Sequence, residues 1–351
     1  MHILLVTIDS LRGDRLGCYG AQDIRTPHLD TFAGSGVRFH QNLSSLATTL
    51  PSHTSLMTGC VPSVHGVNWN GVVTPRRRRT LAEIAAAAGY ATTAITSWGS
   101  FQKQEGLGFQ QIYSDAGAGA EDNRGDRTIT RVETWLEEAD GSQPQLLWVH
   151  FSDPHTPDNY PDPFPQTYAG EVEFVDTMVG RLVEGWDAKF CAHPSLTLIT
   201  ADHGEHLDDH GVERGHGTLW ITNLRVPLLI RCPGLIAPGR VVDELTGQID
   251  ILPTLLDYCD LPMPYDVQGM SLRGMISGDD VGLRLVHQGQ AVHSEADTVT
   301  VRTEDHTIFF EDRRLVHVFD RQADPDEDTD LWPEGAARQS VAHSVRDGRE
   351  R

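Results

Sequence analysis

The chain has 351 residues, of which 39% are hydrophobic, 22% charged and 7% aromatic, enough apolar material for a sizeable core, so disorder as the main state is excluded. Lys and Arg number 28 against 50 Asp and Glu, a net charge of -22, so most of the surface repels a nucleic-acid duplex or a bare anionic lipid layer and a nucleic-acid-coating role is excluded. An anionic substrate needs local positive charge to overcome that field, and a bound metal ion is the simplest supplier.

In chain order, the first element is the apolar run Ile3 to Ile8, which ends on Asp9. It has no basic stretch before it and is too short for the apolar part of a signal peptide, so it reads as a buried strand. No apolar stretch reaches the roughly 20 residues that span a bilayer, and no membrane insertion is expected. Thr49-Leu-Pro-Ser-His53 opens a helical stretch that runs to Gly59; free N–H groups at its start would favour an anion beside the Thr49 hydroxyl. Thr80 to Gly89 has a capping Thr and a terminating Gly. Further apolar runs are Ala94 to Thr96 before Ser97, Leu146 to Val149 before His150 and Asp153, and Leu196 to Ile199 before Asp202 and His203. This alternation predicts a largely parallel sheet with helices on both faces and a crevice beyond the carboxyl ends of the strands.

Past residue 275 the pattern changes. Thr298 to Arg302, Thr307 to Phe310 and Leu315 to Phe319 alternate as a small antiparallel sheet does. The expected organisation is a catalytic α/β domain over 1–275, a C-terminal subdomain over 276–335 and a mobile polar tail over 336–351. The five cysteines, Cys18, Cys60, Cys191, Cys232 and Cys259, form no CxxC pair, which suits reduced thiols in a cytoplasm.

Four segments carry the chemistry if they converge: Asp9, Thr49, Asp202-His203 and Arg214-Gly-His216-Gly. Two carboxylates, an imidazole and a hydroxyl oxygen make a divalent-cation site, and coordination would turn the Thr hydroxyl into a nucleophile. Each has a plainer reading: Asp9 as the cap of a turn, Thr49 as a helix cap, His155 as a loop residue between prolines, Arg76 to Arg79 as a solvated approach to a helix.

The sequence resembles the sulfatase-like branch of the alkaline phosphatase superfamily over about residues 3 to 330. The resemblance rests on Ile8-Asp9-Ser10-Leu11-Arg12 with Leu16-Gly17-Cys18-Tyr19-Gly20, Thr26-Pro27-His28-Leu29-Asp30, and Leu50-Pro51-Ser52-His53-Thr54-Ser55-Leu56-Met57-Thr58-Gly59 with His65-Gly66-Val67. It continues through Thr80-Leu81-Ala82-Glu83, Asp153-Pro154-His155-Thr156-Pro157, Asp202-His203-Gly204-Glu205, Val226-Pro227-Leu228 and Ile249-Asp250-Ile251-Leu252-Pro253-Thr254. It implies an alkaline phosphatase-like three-layer sandwich with a small C-terminal antiparallel subdomain.

The departures are equally specific. Sulfatases proper place a Cys or Ser, oxidised to formylglycine, before x-Pro-x-Arg, where this chain has Thr49 and His53. They carry paired Asp after the first strand, here Asp9-Ser10, and a Lys-Trp-His stretch near Ser97-Trp98-Gly99. What remains is similar to the Thr-nucleophile phosphodiesterases, pyrophosphatases and phosphoglycol transferases of the superfamily. The resemblance then implies Asp9, Thr49, Asp202 and His203 as metal ligands, with Thr49 also the nucleophile. His155 and His216 are expected to be catalytic. Asn70, some twenty residues beyond Thr49, is expected from the resemblance to bind a phosphoryl oxygen with Asn68 as its rival, and His53 is expected to bind substrate. His206, Asp208, Asp209 and His210 form a metal-like cluster by composition, but the family has an exposed loop there. One divalent ion is expected, zinc or manganese before calcium, with a second ion left open.

The function expected from these residues is metal-dependent hydrolysis of a small anionic phosphate ester, a phosphodiester or a phosphomonoester, by Thr49. The alternatives are a sulfuric ester hydrolase without formylglycine, a phosphoglycerol- or phosphoethanolamine-type transferase, and a non-catalytic binding protein. Leaving group and oligomeric state are not legible.

Overall fold

A computed structural model describes residues 1–71, 78–98, 101, 107–114, 124–155, 163–279, 286–292 and 297–332. The expected tail and, of the arginine run, Arg76 and Arg77 lie outside these residues. An eight-stranded sheet is built from β1 (His2–Ile8), β2 (Val37–Leu43), β3 (Ala91–Thr96), β4 (Gln111–Ser114), β5 (Gln145–Phe151), β6 (Ser195–Ala201), β7 (Leu228–Arg231) and β8 (Arg240–Gly247), in the order β4-β3-β5-β1-β6-β7-β2-β8. β1, β3, β4, β5 and β6 run parallel, and β7 is antiparallel to both β6 and β2.

β1 is buried along its whole length because it is covered on both faces, as a continuous apolar run in a parallel sheet requires. Its residues alternate. Ile3 and Leu5 pack with Leu146, Trp148 and Leu196 under α2 (Thr49–Thr58), α4 (Leu81–Ala87) and α8 (Ile251–Tyr258). Leu4, Val6 and Ile8 pack with Leu147, Val149 and Ile199 under α1 (Pro27–Gly34), α5 (Gly125–Glu138) and α6 (Tyr168–Lys189). Short α3 (Pro62–His65), α7 (Ile221–Leu224) and α9 (Arg273–Ser277) complete the helices. The helix expected from Thr80 has its capping box, with Thr80 and Glu83 satisfying each other's backbone N–H, and ends before Gly89 in the left-handed region. No helix among the described residues is long and apolar enough to cross a membrane.

The second sheet holds β9 (His287–Val292), β10 (Asp297–Arg302), β11 (His306–Glu311) and β12 (Arg314–Asp320), all antiparallel. Phe309 and Phe319 pack against Leu46, Leu219 and Leu224 of the larger body. Buried Arg302 donates to Glu327 at 2.8 Å and to the Leu219 carbonyl at 2.7 Å, and Glu327 accepts from the Ile221 N–H. The small sheet thus holds the chain just beyond Gly217.

β5, β1 and β6 lie side by side, with Thr7 opposite His150 and Ile8 opposite Ala201. Asp9 and Asp202 therefore leave adjacent strands at the same height. His150, read from sequence as the residue following a strand, lies inside β5 on the face of Trp148, because the strand extends to Phe151.

Candidate active site

Asp9, Asp202 and His203 are buried, and one ligand atom from each lies within 4.8 Å of the others. His203 Nε2 is 3.6 Å from Asp9 Oδ1 and 3.6 Å from Asp202 Oδ2. Their other polar atoms are committed. Asp202 Oδ1 accepts the N–H groups of Ser10 at 3.2 Å and His203 at 2.8 Å. His203 Nδ1 donates to the Gly204 carbonyl at 2.8 Å, which leaves a lone pair on Nε2. Asp202 Oδ2 and His203 Nε2 have no hydrogen-bond partner although both are buried. Buried acceptors converging without a donor fit a divalent cation. The Ser10 hydroxyl donates to Asp9 Oδ1 at 3.2 Å.

The loop is held from behind. Gln248 Nε2 donates to the carbonyls of Ala201 and Asp202, and the Ser52 hydroxyl donates to the Asp202 carbonyl at 2.6 Å. Ser10 is in the left-handed region, φ 58, a strain that the Asp202 and Tyr168 contacts retain. Burial pushes Asp9 up, but His155, His150 and His203 around it outweigh this and hold it far below the usual carboxylate range. Burial and the charge of Asp9 push Asp202 up, as expected of two carboxylates sharing a site.

Thr49 is the first residue of α2, with Thr48 as the cap residue, so the cap reading of Thr49 shifts by one. All ten residues of α2 are buried, which is why the stretch shows no amphipathic pattern. The Thr49 hydroxyl makes no hydrogen bond to a described residue, while its carbonyl accepts from His53 Nδ1 at 2.7 Å. Asn70 Oδ1 accepts the Leu50 N–H at 2.9 Å, so its amide NH₂ is left to donate beside Thr49. Asn68 is instead oriented with Oδ1 buried and unpartnered among the described residues.

His53 differs from expectation. It is fully buried with Nδ1 on the Thr49 carbonyl and Nε2 3.0 Å from Thr7 Oγ1, 3.8 Å from Asp202 Oδ2 on its Nδ1 side. Both nitrogens are spent inside the protein, so the ring supports Thr49 from below and has no atom to offer a substrate.

His155 and His216 come together, ring centroids 4.9 Å apart, and His216 stacks on His203 at 4.7 Å. His216 Nδ1 is 3.8 Å from Glu205 Oε2; burial would lower this histidine, but the Glu205 contact and charge raise it above its ordinary value. Arg214 ties the two loops, donating to the Pro154 carbonyl at 2.7 Å and to Glu171 at 2.8 Å. In the metal-like cluster, Asp209 pairs with Arg12, His206 bonds Thr218 and His210 bonds the Asp326 carbonyl, so these groups hold loops. From sequence Thr7 was not singled out, and Glu205, Arg214 and His150 were named only as members of their segments, without a role in the site. The signal for Thr7 and His150 was alternation: Thr7 lies two residues before Asp9, and His150 two residues after Trp148.

A family model described as "Sulfatase" matches residues 1–261, and one described as "N-sulphoglucosamine sulphohydrolase, C-terminal" matches residues 217–347. An "Arylsulfatase" from Clostridium perfringens is 23% identical, over 94% of this chain and 90% of that protein. A "Steryl-sulfatase" from Mus musculus is 25% identical over 79% of this chain, which spans 65% of its length. The solved phosphonate monoester hydrolase of Agrobacterium radiobacter shares the fold with a TM-score of 0.86, at 21% identity over 99% of this chain and 95% of that one. With the family model covering the whole larger sheet and the buried Asp9-Asp202-His203 group at its edge, the chain belongs to the sulfatase family of the alkaline phosphatase superfamily and is an ester hydrolase.

Proposed function

We propose that the protein hydrolyses a small anionic phosphorus ester, a phosphate or phosphonate, with Thr49 as nucleophile. The observation that carries this reading is Thr49 itself, a free hydroxyl at the start of buried α2 beside the Asn70 amide. Threonine cannot be oxidised to formylglycine. A sulfate ester of Thr49 therefore lacks the exit by elimination that a geminal diol provides.

Asp9, Asp202 and His203, with the Thr49 oxygen, would hold the divalent cation, which supplies Lewis acidity that lowers the hydroxyl pKa and attracts the anion. The N–H groups of α2 and the Asn70 amide bind phosphoryl oxygens. Thr49 Oγ bonds to phosphorus as the bond to the leaving oxygen breaks, the Thr49 hydroxyl proton passes to solvent water, and His216 or His155 delivers a proton to the leaving oxygen. Water then attacks phosphorus and gives a proton to that histidine, the bond to Oγ breaks, and Oγ regains a proton from solvent. Five cysteines without a disulfide support a reducing compartment such as the cytoplasm.

A second reading, sulfate-ester hydrolysis, is favoured by the relatives, which are named as sulfatases. Acid-quenched enzyme after exposure to an aryl phosphate diester and to the matching aryl sulfate decides between them. Phosphorylated Thr49 in the peptide 49–59 is the expected result; sulfated Thr49 that turns over supports the second reading.

A further inference from the structure

The fold uses only part of the Arg214 guanidinium. Its Nη2 is spent, donating to the Pro154 carbonyl at 2.7 Å and to Glu171 Oε2 at 2.8 Å. Nε and Nη1 make no hydrogen bond among the described residues, so the remaining N–H groups of the fork are left to solvent. The ion pair is lopsided: the Glu171 side chain is closed to solvent, whereas 29% of the Arg214 side chain is open. Burial lifts Glu171 to about 7, so near neutral pH it cancels only part of the arginine's charge. Arg302, which joins the small sheet to the larger body, shows the contrast, for its side chain is 0% exposed against Glu327.

The place of this open charge gives it a use. Arg214 and His216 flank Gly215, which is bridged to His206 as a strand residue is, so their side chains leave the same face. The other anchor, Pro154, precedes His155, and the His155 and His216 rings stand 4.9 Å apart. The guanidinium is thus tied on both sides to the two histidines read as proton donors to the leaving oxygen. The chain carries a net charge of -22, and Asp153 and Glu205 are close enough to push Glu171 further up. An anion arriving on this side is repelled unless a local cation offsets that field. We propose that Arg214 is a specificity-determining residue, whose Nε and Nη1 groups bind an anionic oxygen group carried by the leaving side of the ester. The preferred substrate then has two separated anionic groups, one reacting at Thr49 and one held by Arg214. The inference rests on reading Thr49 as the nucleophile and His155 and His216 as donors to the leaving oxygen.

Benzylphosphonate, which has no ester bond to break, and its 4-carboxy derivative are titrated by calorimetry into metal-loaded protein, with the two matching benzylsulfonates in parallel. In the wild type the carboxylated phosphonate is expected to bind at least about tenfold more tightly than the neutral one. Arg214→Gln should bring that ratio near one, and Arg214→Lys, which keeps the charge, should retain part of it. Loss of the loop tie alone weakens both probes alike and leaves their ratio as it was. A wild-type ratio near one overturns the proposal, as does a ratio that survives in Arg214→Gln. The sulfonate pair separates this from failure of the phosphorus reading. Sulfonates that bind where phosphonates do not make sulfur the element attacked, and the ratio within that pair then decides on Arg214 in the same way. Binding of none of the four probes at millimolar concentration also overturns the proposal.

Discussion

Glu205 lies under His216, carboxylate oxygen to Nδ1 at 3.8 Å, so the histidine on the open side of the site has a buried acid as its partner. Its proton is held above the ordinary range against the opposing effect of burial. If His216 protonates the leaving oxygen, turnover falls on the alkaline side as pH rises through that raised value. Glu205→Gln removes the charge and should move the alkaline limb of kcat to lower pH. A limb that does not move assigns the proton to His155.

Thr49→Ala should fold, because the helix begins with Thr48 as cap residue and no Thr49 side-chain hydrogen bond is lost. The stability cost is expected near 1 kcal/mol, as for an ordinary single substitution. Turnover should fall at least about 1,000-fold, equivalent to about 4 kcal/mol of barrier, and Thr49→Ser should restore a measurable part. Near-normal turnover in the alanine variant would make water the nucleophile.

Asp202→Asn keeps an acceptor for the N–H groups of Ser10 and His203 while removing one negative charge. Metal content should drop by about one equivalent, with little change in melting temperature of the metal-free protein. Burial already pushes this carboxyl up, so without metal the amide replaces a group that ionises reluctantly.

The strand ends were legible because apolar runs stopped at Asp9, Asp153 and Asp202, and parallel pairing brings such ends together. β7 and β8 were not. β7 has only four residues and runs against its neighbours, and β8 alternates so irregularly, Arg240–Gly247, that no period marks it. The Thr7 hub was hidden for another reason. Its three partners, Trp148, His150 and His53, come from two other segments, β5 and α2, and their convergence depends on the Thr7–His150 register and on α2 lying over that face. The depth of His53 was not legible, because a motif gives a position along the chain but not how deeply its side chain is buried.

Glu171 is fully buried against Arg214, and burial, only partly offset by that arginine, pushes it from 4.5 up to about 7. The folded state thus holds this proton more tightly than the unfolded chain. Below about 4.5 both states are protonated; between 4.5 and 7 the wild type loses stability as pH rises, and above 7 the loss is complete. At about 1.4 kcal/mol per pH unit the loss is on the order of 3 kcal/mol. Glu171→Gln should flatten this part of the melting-temperature profile. A variant with the wild-type slope would place the ionisation elsewhere.

The preference among esters follows from what faces Thr49. The α2 N–H groups, the Asn70 amide, the raised His216 and the cation expected at Asp9, Asp202 and His203 all gain as the reacting group carries more negative charge. A phosphoryl group brings up to two charges and a sulfate monoester one. The second half-reaction adds to this: water displaces Thr49 from phosphorus directly, whereas a threonine sulfate has no elimination route. On matched aryl esters the expected order is phosphate first, phosphonate close behind and sulfate last. The gap to sulfate is a factor of at least about 10 in kcat/KM, which needs only about 1.4 kcal/mol of transition-state difference. The assay uses metal-loaded protein with Thr49→Ala as the blank for each ester. A sulfate ester that outruns the phosphates in the wild type and vanishes in the blank would replace phosphorus by sulfur as the element attacked, while keeping Thr49 as nucleophile.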